Sequence, residues 1–292
     1  MSWATEYNSS LKLKEVEEIL DLYFYRPLAF LLVKAVYRTR VTPNQLTITS
    51  ILLGIVAGFF YSVGKPSYIA AGALLYLISN IFDCSDGQLA RLKHNGSAIG
   101  RIIDGVADMI AFLAVYFGIA FGFANHQDNT YFWWLMLLIT GFSSALHSVL
   151  VDFYRNRFLD YFKWRKNNFE EEIQEFKNAY TLAKQQKGKW FERSLIRLYL
   201  KITDLQRVLT TRSKRSRTLH ADPQDYYRKN RIIIRLWLLL GPTTQITNLI
   251  ICSLFQRIDL FIWIVLFGFN GLAAILWVIQ QVIDRTFKAH TE

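Results

Sequence analysis

Residues 83–108 read DCSDGQLARLKHNGSAIGRIIDGVAD and place four carboxylates between long apolar runs. Charge in such a setting is costly and is usually kept for function. Asp83, Asp86, Gly87 and Ala90 recur at i, i+3, i+4 and i+7, so they share one face of a helix. Gly100, Asp104 and Asp108 recur at i, i+4 and i+8. Two helices joined by the polar turn at 94–96 would bring these faces together in one acidic cluster.

The chain around this stretch is apolar enough to lie in a bilayer. It has 292 residues, of which 52% are hydrophobic. Apolar runs of about 20 residues, the length that crosses the hydrocarbon core, recur along it. They predict an all-α integral membrane protein with six transmembrane helices at about 44–63, 67–90, 99–123, 131–153, 231–255 and 260–282. The net charge of +11 suits anionic lipids or phosphate-bearing substrates, and nucleic acid fits so membranous a chain less well.

The remaining segments divide the chain into four parts. Residues 1–43 predict an amphipathic helix on the membrane surface, interrupted near Pro27, although a soluble helix pair is an alternative. Residues 44–153 hold spans one to four, beginning with Thr42 as N-cap and Pro43 at the first helical position. Residues 154–230 form a basic insert with 19 of the 34 Lys and Arg residues, interpreted as amphipathic helices on one membrane face. Residues 231–292 contain spans five and six and the tail.

Basic residues also predict the orientation. Nearly all loop Lys and Arg residues fall in alternate connections: the N-terminal segment, the 92–98 turn, the insert and the tail. Cytoplasmic loops carry this excess, so both termini and the acidic cluster are expected on the cytoplasmic side. The pair Gly54-x-x-x-Gly58 in span one indicates close helix packing, either within the chain or in a dimer.

Four converging carboxylates need protons or cations to offset their repulsion. An all-oxygen set favours hard divalent ions, and two Mg²⁺ or Mn²⁺ ions could grip a diphosphate. Gly87 and Gly100 leave room for a phosphate or nucleotide beside the backbone, and Arg91 adds a permanent positive charge. Two alternatives remain open at this point: acidic residues that merely stabilise helix ends, and a site for ion transport.

The spacing Asp83-x2-Asp86-Gly87-x2-Ala90-Arg91-x8-Gly100-x3-Asp104-x3-Asp108 resembles the signature of the CDP-alcohol phosphotransferase family. The entry to span one, Pro43-Asn44-x-x-Thr47, is also similar to that family. The resemblance implies six transmembrane helices, a homodimer in many members, and a polar cavity facing the cytosol. It implies transfer of a phosphatidyl or phospho-alcohol group from a CDP-linked donor, such as CDP-diacylglycerol, to a hydroxyl acceptor with release of CMP, in phospholipid or related lipid biosynthesis.

The same resemblance assigns roles to residues. Asp83, Asp86, Asp104 and Asp108 would ligate two metal ions, and Asp108 would also be the general base. The CDP moiety would be bound by a further set: Gly87, Arg91, Ser97, Asn44, Thr47, Ala90 and Gly100. The acceptor site is the weakest prediction, with Arg101, Arg155 and Arg235 as its main candidates and His147, Asp152 and Arg157 as others. Arg235 could instead extend to the headgroups.

Two other functional classes compete with a transferase. A cation transporter would use the intramembrane carboxylates for ion passage, and it predicts broken helices in both halves of the chain. The sequence shows no such interruption. A non-catalytic scaffold would use the basic insert to bind anionic lipid or a protein.

Overall fold

The computed structural model describes residues 3–11, 14–95, 98–161 and 223–288, with isolated helical positions between 174 and 200. The regular secondary structure within these ranges is helical, and turns or short loops connect the helices. The helices are α1 (Trp3–Ser10), α2 (Arg26–Val36), α3 (Pro43–Ser62), α4 (Pro66–Leu92), α5 (Ala98–Gly122), α6 (Thr130–Tyr161), α7 (Pro223–Trp237), α8 (Pro242–Leu254), α9 (Ile258–Trp263) and α10 (Asn270–Lys288). The predicted all-α architecture is confirmed.

Within the described ranges, five stretches are long and apolar enough to cross a membrane: α3, α4, a segment from Gly100 to His126, α6 from Thr130, and Ile258–Phe287. The pair α7 and α8 makes a sixth if both are counted as one span. Large apolar side chains point outward along these helices, among them Phe59, Phe117, Leu138 and Trp277, each more than half exposed. An outward apolar surface on every long helix is what a lipid environment requires.

Helix α3 is the element on which the acidic helices are assembled, since α4 and α5 both pack along it. Its start follows the prediction: Thr42 and Gln45 form a reciprocal capping box, and Pro43 opens the first turn. Gly54 and Gly58 face α5, where a Cβ on Gly58 would overlap the backbone of Ala114. The small-residue pair therefore serves packing within the chain.

Spans five and six are less regular than the sequence indicated. The sequence indicated no broken helix. For span five this prediction is wrong, because α7 and α8 meet at Gly241 with a bend of 41°. A short 3₁₀ turn, Leu238–Leu240, precedes Gly241, and Pro242 starts α8. Pro242 has no backbone N–H to continue the helical ladder, so the break has a direct chemical cause. In span six, π-helical turns at Ile264–Phe269 separate α9 from α10.

The N-terminal segment also differs from its prediction. It runs through a 3₁₀ turn at Lys14–Val16 and a π-helical turn at Asp21–Tyr25 before α2 begins. Pro27 lies in the first turn of α2, where a proline is tolerated, so it begins the helix instead of breaking it. The segment packs against α4 and has a buried face of Tyr25, Ala29, Phe30 and Val33.

The boundaries of the basic insert are shifted. Helix α6 continues past the expected end of span four at residue 153 to Tyr161, and α7 starts at Pro223. Most of the insert, including its residues 212–217, lies outside the described residues. Ser97 of the predicted CDP site also lies outside them.

Candidate active site

Three of the four carboxylates meet where the ends of α4 and α5 approach each other. Asp83 and Asp86 come from α4 and Asp104 from α5, and one oxygen of each lies within 4.8 Å of the other two. Asp86 is buried, while Asp83 and Asp104 are half-buried. The i, i+3 spacing on α4 accounts for the first pair, and packing of both helices on α3 brings in Asp104.

Asp108 completes the cluster on its open side. Its carboxyl lies against that of Asp83, one helical turn beyond Asp104, and its side chain is exposed. The four groups offer only oxygen ligands, the set that hard divalent cations prefer. Carboxylates this close are held apart by repulsion unless cations or protons neutralise them, so the donor set fits divalent metal ions.

Helix α3 adds a polar contact to this cluster. Thr47 is buried, and its hydroxyl donates to Oδ2 of Asp86. The hydroxyl also lies 3.2 Å from the carbonyl of Pro43, one turn earlier on the same helix. Asn44 is exposed at the start of α3. Thr47 therefore orients a carboxylate of the cluster, whereas Asn44 is open to a ligand from the water side.

Arg91 and Gly87 lie next to the cluster on α4. A Cβ on Gly87 would lie 3.4 Å from Nη1 of Arg91, so the guanidinium extends across the glycine. Nε of Arg91 donates to the carbonyl of Ser10 at 2.5 Å, and Nη2 is buried without a partner among the described residues. This arrangement leaves a cationic group beside a backbone without a side chain, as an approaching phosphate requires. Ala90 and Gly100 are half-buried on the same two helices.

The N-terminal segment contributes contacts that the sequence did not predict. Arg26 is buried, its Nε lies 3.2 Å from Oε2 of Glu17, and its backbone carbonyl accepts from Nε2 of Gln88. Ser85 lies 3.3 Å from the carbonyl of Ala29. Helix α4 thus has the acidic cluster on one side and this segment on the other. The sequence signal for these contacts is the presence of charged residues within an otherwise apolar N-terminal stretch. The same pattern is typical of a helix on the membrane surface, which is what the sequence analysis predicted.

Glu18 connects the same segment to the bend in span five. Its carboxylate accepts from the backbone N–H groups of Thr243 at 3.3 Å and Thr244 at 2.8 Å, and from the Thr244 hydroxyl at 2.9 Å. Asp21 accepts from the Thr243 hydroxyl at 3.1 Å. Glu18 therefore caps the first turn of α8, satisfying N–H groups that a broken helix exposes. Burial, together with the neighbouring Asp21 charge, raises the pKa of Glu18 to about 8.

The proposed acceptor residues on the later spans are dispersed. Arg155 pairs with Asp152 on its own helix at 2.5 Å, and Arg157 forms a mostly buried pair with Asp284 of α10 at 2.6 Å. Nη1 of Arg235 lies 3.4 Å from the carbonyl of Glu17.

The other two candidates lie elsewhere. Arg101 is exposed on α5, three residues before Asp104. His147 is buried and bonds Asn270 of α10 at 3.0 Å, so this histidine packs spans four and six together.

The fold and the site together define a multi-span membrane protein with an acidic cluster suited to divalent cations at the meeting point of two spans. Residues 40–159, which include α3 to α5 and most of α6, match the profile of the CDP-alcohol phosphatidyltransferase family. The chain therefore resembles this family over that region.

Several curated relatives are similar to a part of the chain. A bifunctional IPC transferase and DIPP synthase from Thermococcus kodakarensis is 32% identical over 41% of this chain and 25% of its own length. An archaetidylinositol phosphate synthase from Pyrococcus horikoshii is 33% identical over 31% of this chain and 47% of its own. CDP-diacylglycerol--serine O-phosphatidyltransferase from Saccharomyces cerevisiae is 36% identical over 24% and 26%. The alignments therefore span between a quarter and a half of these relatives.

Proposed function

We propose that this protein is a membrane-embedded transferase that moves a phosphatidyl or phospho-alcohol group from a CDP-linked donor to a hydroxyl acceptor. The observation that carries the proposal is the convergence of Asp83, Asp86 and Asp104 within 4.8 Å, inside the region that matches the family. In this reaction an acceptor oxygen attacks the phosphorus on the alcohol side of the diphosphate. The bond from that phosphorus to the oxygen bridging it to CMP breaks, and CMP leaves.

The carboxylates are proposed to hold the cations of the reaction. Asp83, Asp86, Asp104 and Asp108 would ligate two Mg²⁺ or Mn²⁺ ions, with Thr47 fixing the orientation of Asp86. When bound, such ions neutralise the diphosphate and the charge that develops on the leaving oxygen. Outer contacts of this kind hold a metal ligand in its productive orientation, which gives the hydroxyl of Thr47 a role in ordering the metal site.

The donor is proposed to lie over Gly87, with its diphosphate towards Arg91. The unpartnered Nη2 of Arg91 supports this position, because a buried guanidinium N–H lacks a hydrogen bond unless a ligand provides one. Gly100 and Ala90 leave space beside the two helices, and Asn44 and Thr47 extend the site along α3. Ser97 is proposed on the family pattern alone.

Asp108 is the proposed general base. Its exposure supports the role, because an acceptor hydroxyl arriving from the open side would reach this carboxyl before the half-buried Asp83. The proton of the attacking hydroxyl would pass to Asp108. Substitution of each of the four carboxylates in turn assigns the base.

The acceptor is proposed to be bound by arginine side chains near the cluster. Arg101, on the exposed side of α5 near Asp104, and Arg155 on α6 are proposed contacts for it. Arg235 lines a cavity formed with the N-terminal segment, away from the residues assigned to the donor. We also propose that the cluster and both termini face the cytoplasm, as the basic connections indicate, and that the protein forms a homodimer, as the family resemblance implies.

A CMP-release assay with purified full-length protein tests the reaction. CDP-diacylglycerol and soluble CDP-alcohols are crossed with inositol, inositol phosphate, glycerol phosphate, serine and lipid acceptors. Asp83→Asn and Asp108→Asn are each expected to lower the rate at least 100-fold, since each removes a metal ligand or the base. Asp128→Asn, at an exposed carboxyl in the connection before α6, is the matched control. If folded Asp83→Asn and Asp108→Asn proteins released CMP at the parental rate, this mechanism would be wrong.

A cation transporter is the second candidate, favoured by the bend between α7 and α8. Broken helices mark ion and substrate paths in many transporters. Here the N-terminus of α8 is already occupied by Glu18, whereas such a path needs it open to the transported species. Uptake of Mn²⁺ into proteoliposomes, abolished by Asp83→Asn and without CMP release from any donor, would favour transport over transfer.

A further inference from the structure

A cavity of about 380 Å³ lies apart from the acidic cluster, between the N-terminal segment, the end of α6 and the middle and last turns of α7. Its walls are Glu15, Phe158, Tyr227, Arg231, Ile232, Ile234 and Arg235. The size is that of a small ligand site. Charged and apolar groups share its walls, which distinguishes it from a gap in the hydrophobic core.

Two arginines give the cavity its charge. Arg231 and Arg235 are four residues apart on α7, so both guanidinium groups lie on one face, where like charges destabilise a helix. Among the residues that the structure describes, neither forms an ion pair. By contrast, Arg228 and Lys229 on the same helix both pair with Asp225, at 3.1 and 2.9 Å. An anion between Arg231 and Arg235 would offset their repulsion and give both guanidinium groups a charged acceptor.

The apolar walls identify the ligand class. Ile232 is 66% exposed and lies next to Arg231, and Leu236, 38% exposed, lies next to Arg235. Each arginine is therefore followed directly by an apolar side chain that faces outward. A basic pocket of this kind at the end of a membrane span has the arrangement of a lipid headgroup site. The guanidinium groups would bind a phosphate while acyl chains extend along the outer face of α7.

The net charge of the cavity indicates which kind of phosphate group it would bind. Two arginines and Glu15 give the cavity a net charge of +1. This complements a phosphodiester, which carries one negative charge, better than a phosphomonoester with up to two. The carboxylate of Glu15 would repel the second charge of a monoester. Tyr227 adds an aromatic ring to the wall.

We propose that this cavity binds the phosphodiester headgroup of an anionic membrane phospholipid through Arg231 and Arg235. The site is separate from the proposed transfer reaction and does not depend on it. A bound lipid would join the N-terminal segment to spans four and five, because each provides a wall. Its loss would loosen that junction while leaving Asp83, Asp86 and Asp104 in place.

The test measures thermal unfolding of delipidated full-length protein in neutral detergent. Phosphatidylglycerol, phosphatidylcholine and soluble glycerol phosphate are added to separate samples, and lipid retained through purification is counted by native mass spectrometry. Phosphatidylglycerol is expected to raise the Tm by several degrees, phosphatidylcholine by less than half as much, and glycerol phosphate not at all. Arg231→Gln/Arg235→Gln should lose most of the shift, and Arg231→Lys/Arg235→Lys should keep part of it.

Arg228→Gln is the matched control, since Arg228 lies on the same helix but is already paired and largely exposed. It should retain the full response to phosphatidylglycerol. If Arg231→Gln/Arg235→Gln unfolds during purification, the single variant Arg231→Gln is compared by retained lipid, which should fall at least threefold. An unchanged shift in the double variant, or unchanged retained lipid in the single one, would overturn the proposal. A shift with glycerol phosphate but none with phosphatidylglycerol would replace it with a site for a soluble phosphomonoester.

Discussion

Thr47→Val isolates the contact between α3 and the acidic cluster. Thr47 is 3% exposed and donates to Oδ2 of buried Asp86, so valine keeps the volume while removing the hydroxyl. Hydrogen bonds to charged groups contribute about 1.5–3 kcal/mol. If this bond holds Asp86 ready to ligate a cation, its loss should weaken Mn²⁺ binding by about 10- to 100-fold, the range found for outer contacts of metal ligands.

The measurement is free Mn²⁺ by electron paramagnetic resonance during titration of the detergent-solubilised protein. The Mn²⁺ dependence of CMP release is followed in parallel. Thr49→Val is the control, because the Thr49 hydroxyl donates to the carbonyl of Gln45 at 2.9 Å on its own helix and touches no carboxylate. Mn²⁺ affinity within twofold of the parent in a folded Thr47→Val protein would contradict the role given to this hydroxyl.

Three further predictions concern stability. The pKa of Glu18 is raised to about 8, so the folded protein retains a proton that the unfolded chain releases near 4.5. Stability should therefore fall as pH rises from about 5 to 8, by at most about 5 kcal/mol, and Glu18→Gln should flatten the Tm profile over this window. Gly58→Ala should cost about 1–3 kcal/mol in denaturant unfolding through overpacking, whereas Gly271→Ala, with open space around it, should not destabilise. Arg157→Leu should cost about 3–5 kcal/mol by leaving Asp284 unpaired, and the double variant Arg157→Leu/Asp284→Leu should recover most of that loss of Tm.

The parts of the fold that depend on local spacing were predictable from the sequence. Thr42 and Pro43 are adjacent to the turn that they start, and their cap forms as expected. Asp83 and Asp86 share a helix face because three residues separate them, whatever the rest of the chain does. Apolar runs of about 20 residues likewise indicate spans without any knowledge of their partners. The acidic cluster and the membrane architecture therefore followed from short-range patterns.

Contacts between distant residues were not predictable in this way. Arg157 and Asp284 are 127 residues apart, and each by itself resembles an ordinary charge near a membrane surface. Gly241 and Pro242 mark a possible interruption, yet the acidic cap that makes the break tolerable is Glu18, far away in the chain. The amphipathic pattern of residues 11–40 indicates an apolar face but not whether lipid or α4 covers it. The packing in the structure shows which of the two, lipid or α4, covers this face.

The cap on α8 has a consequence for the order in which the protein is made. Glu18 leaves the ribosome 225 residues before Thr243, its first backbone partner. Spans one to four can therefore be inserted while the carboxylate is still in contact with water. Glu18 can become buried at the start of α8 only after the Gly241 bend has been synthesised. The N-terminal segment can thus pack on α4 early, but the contacts of Glu18 form only when span five is made.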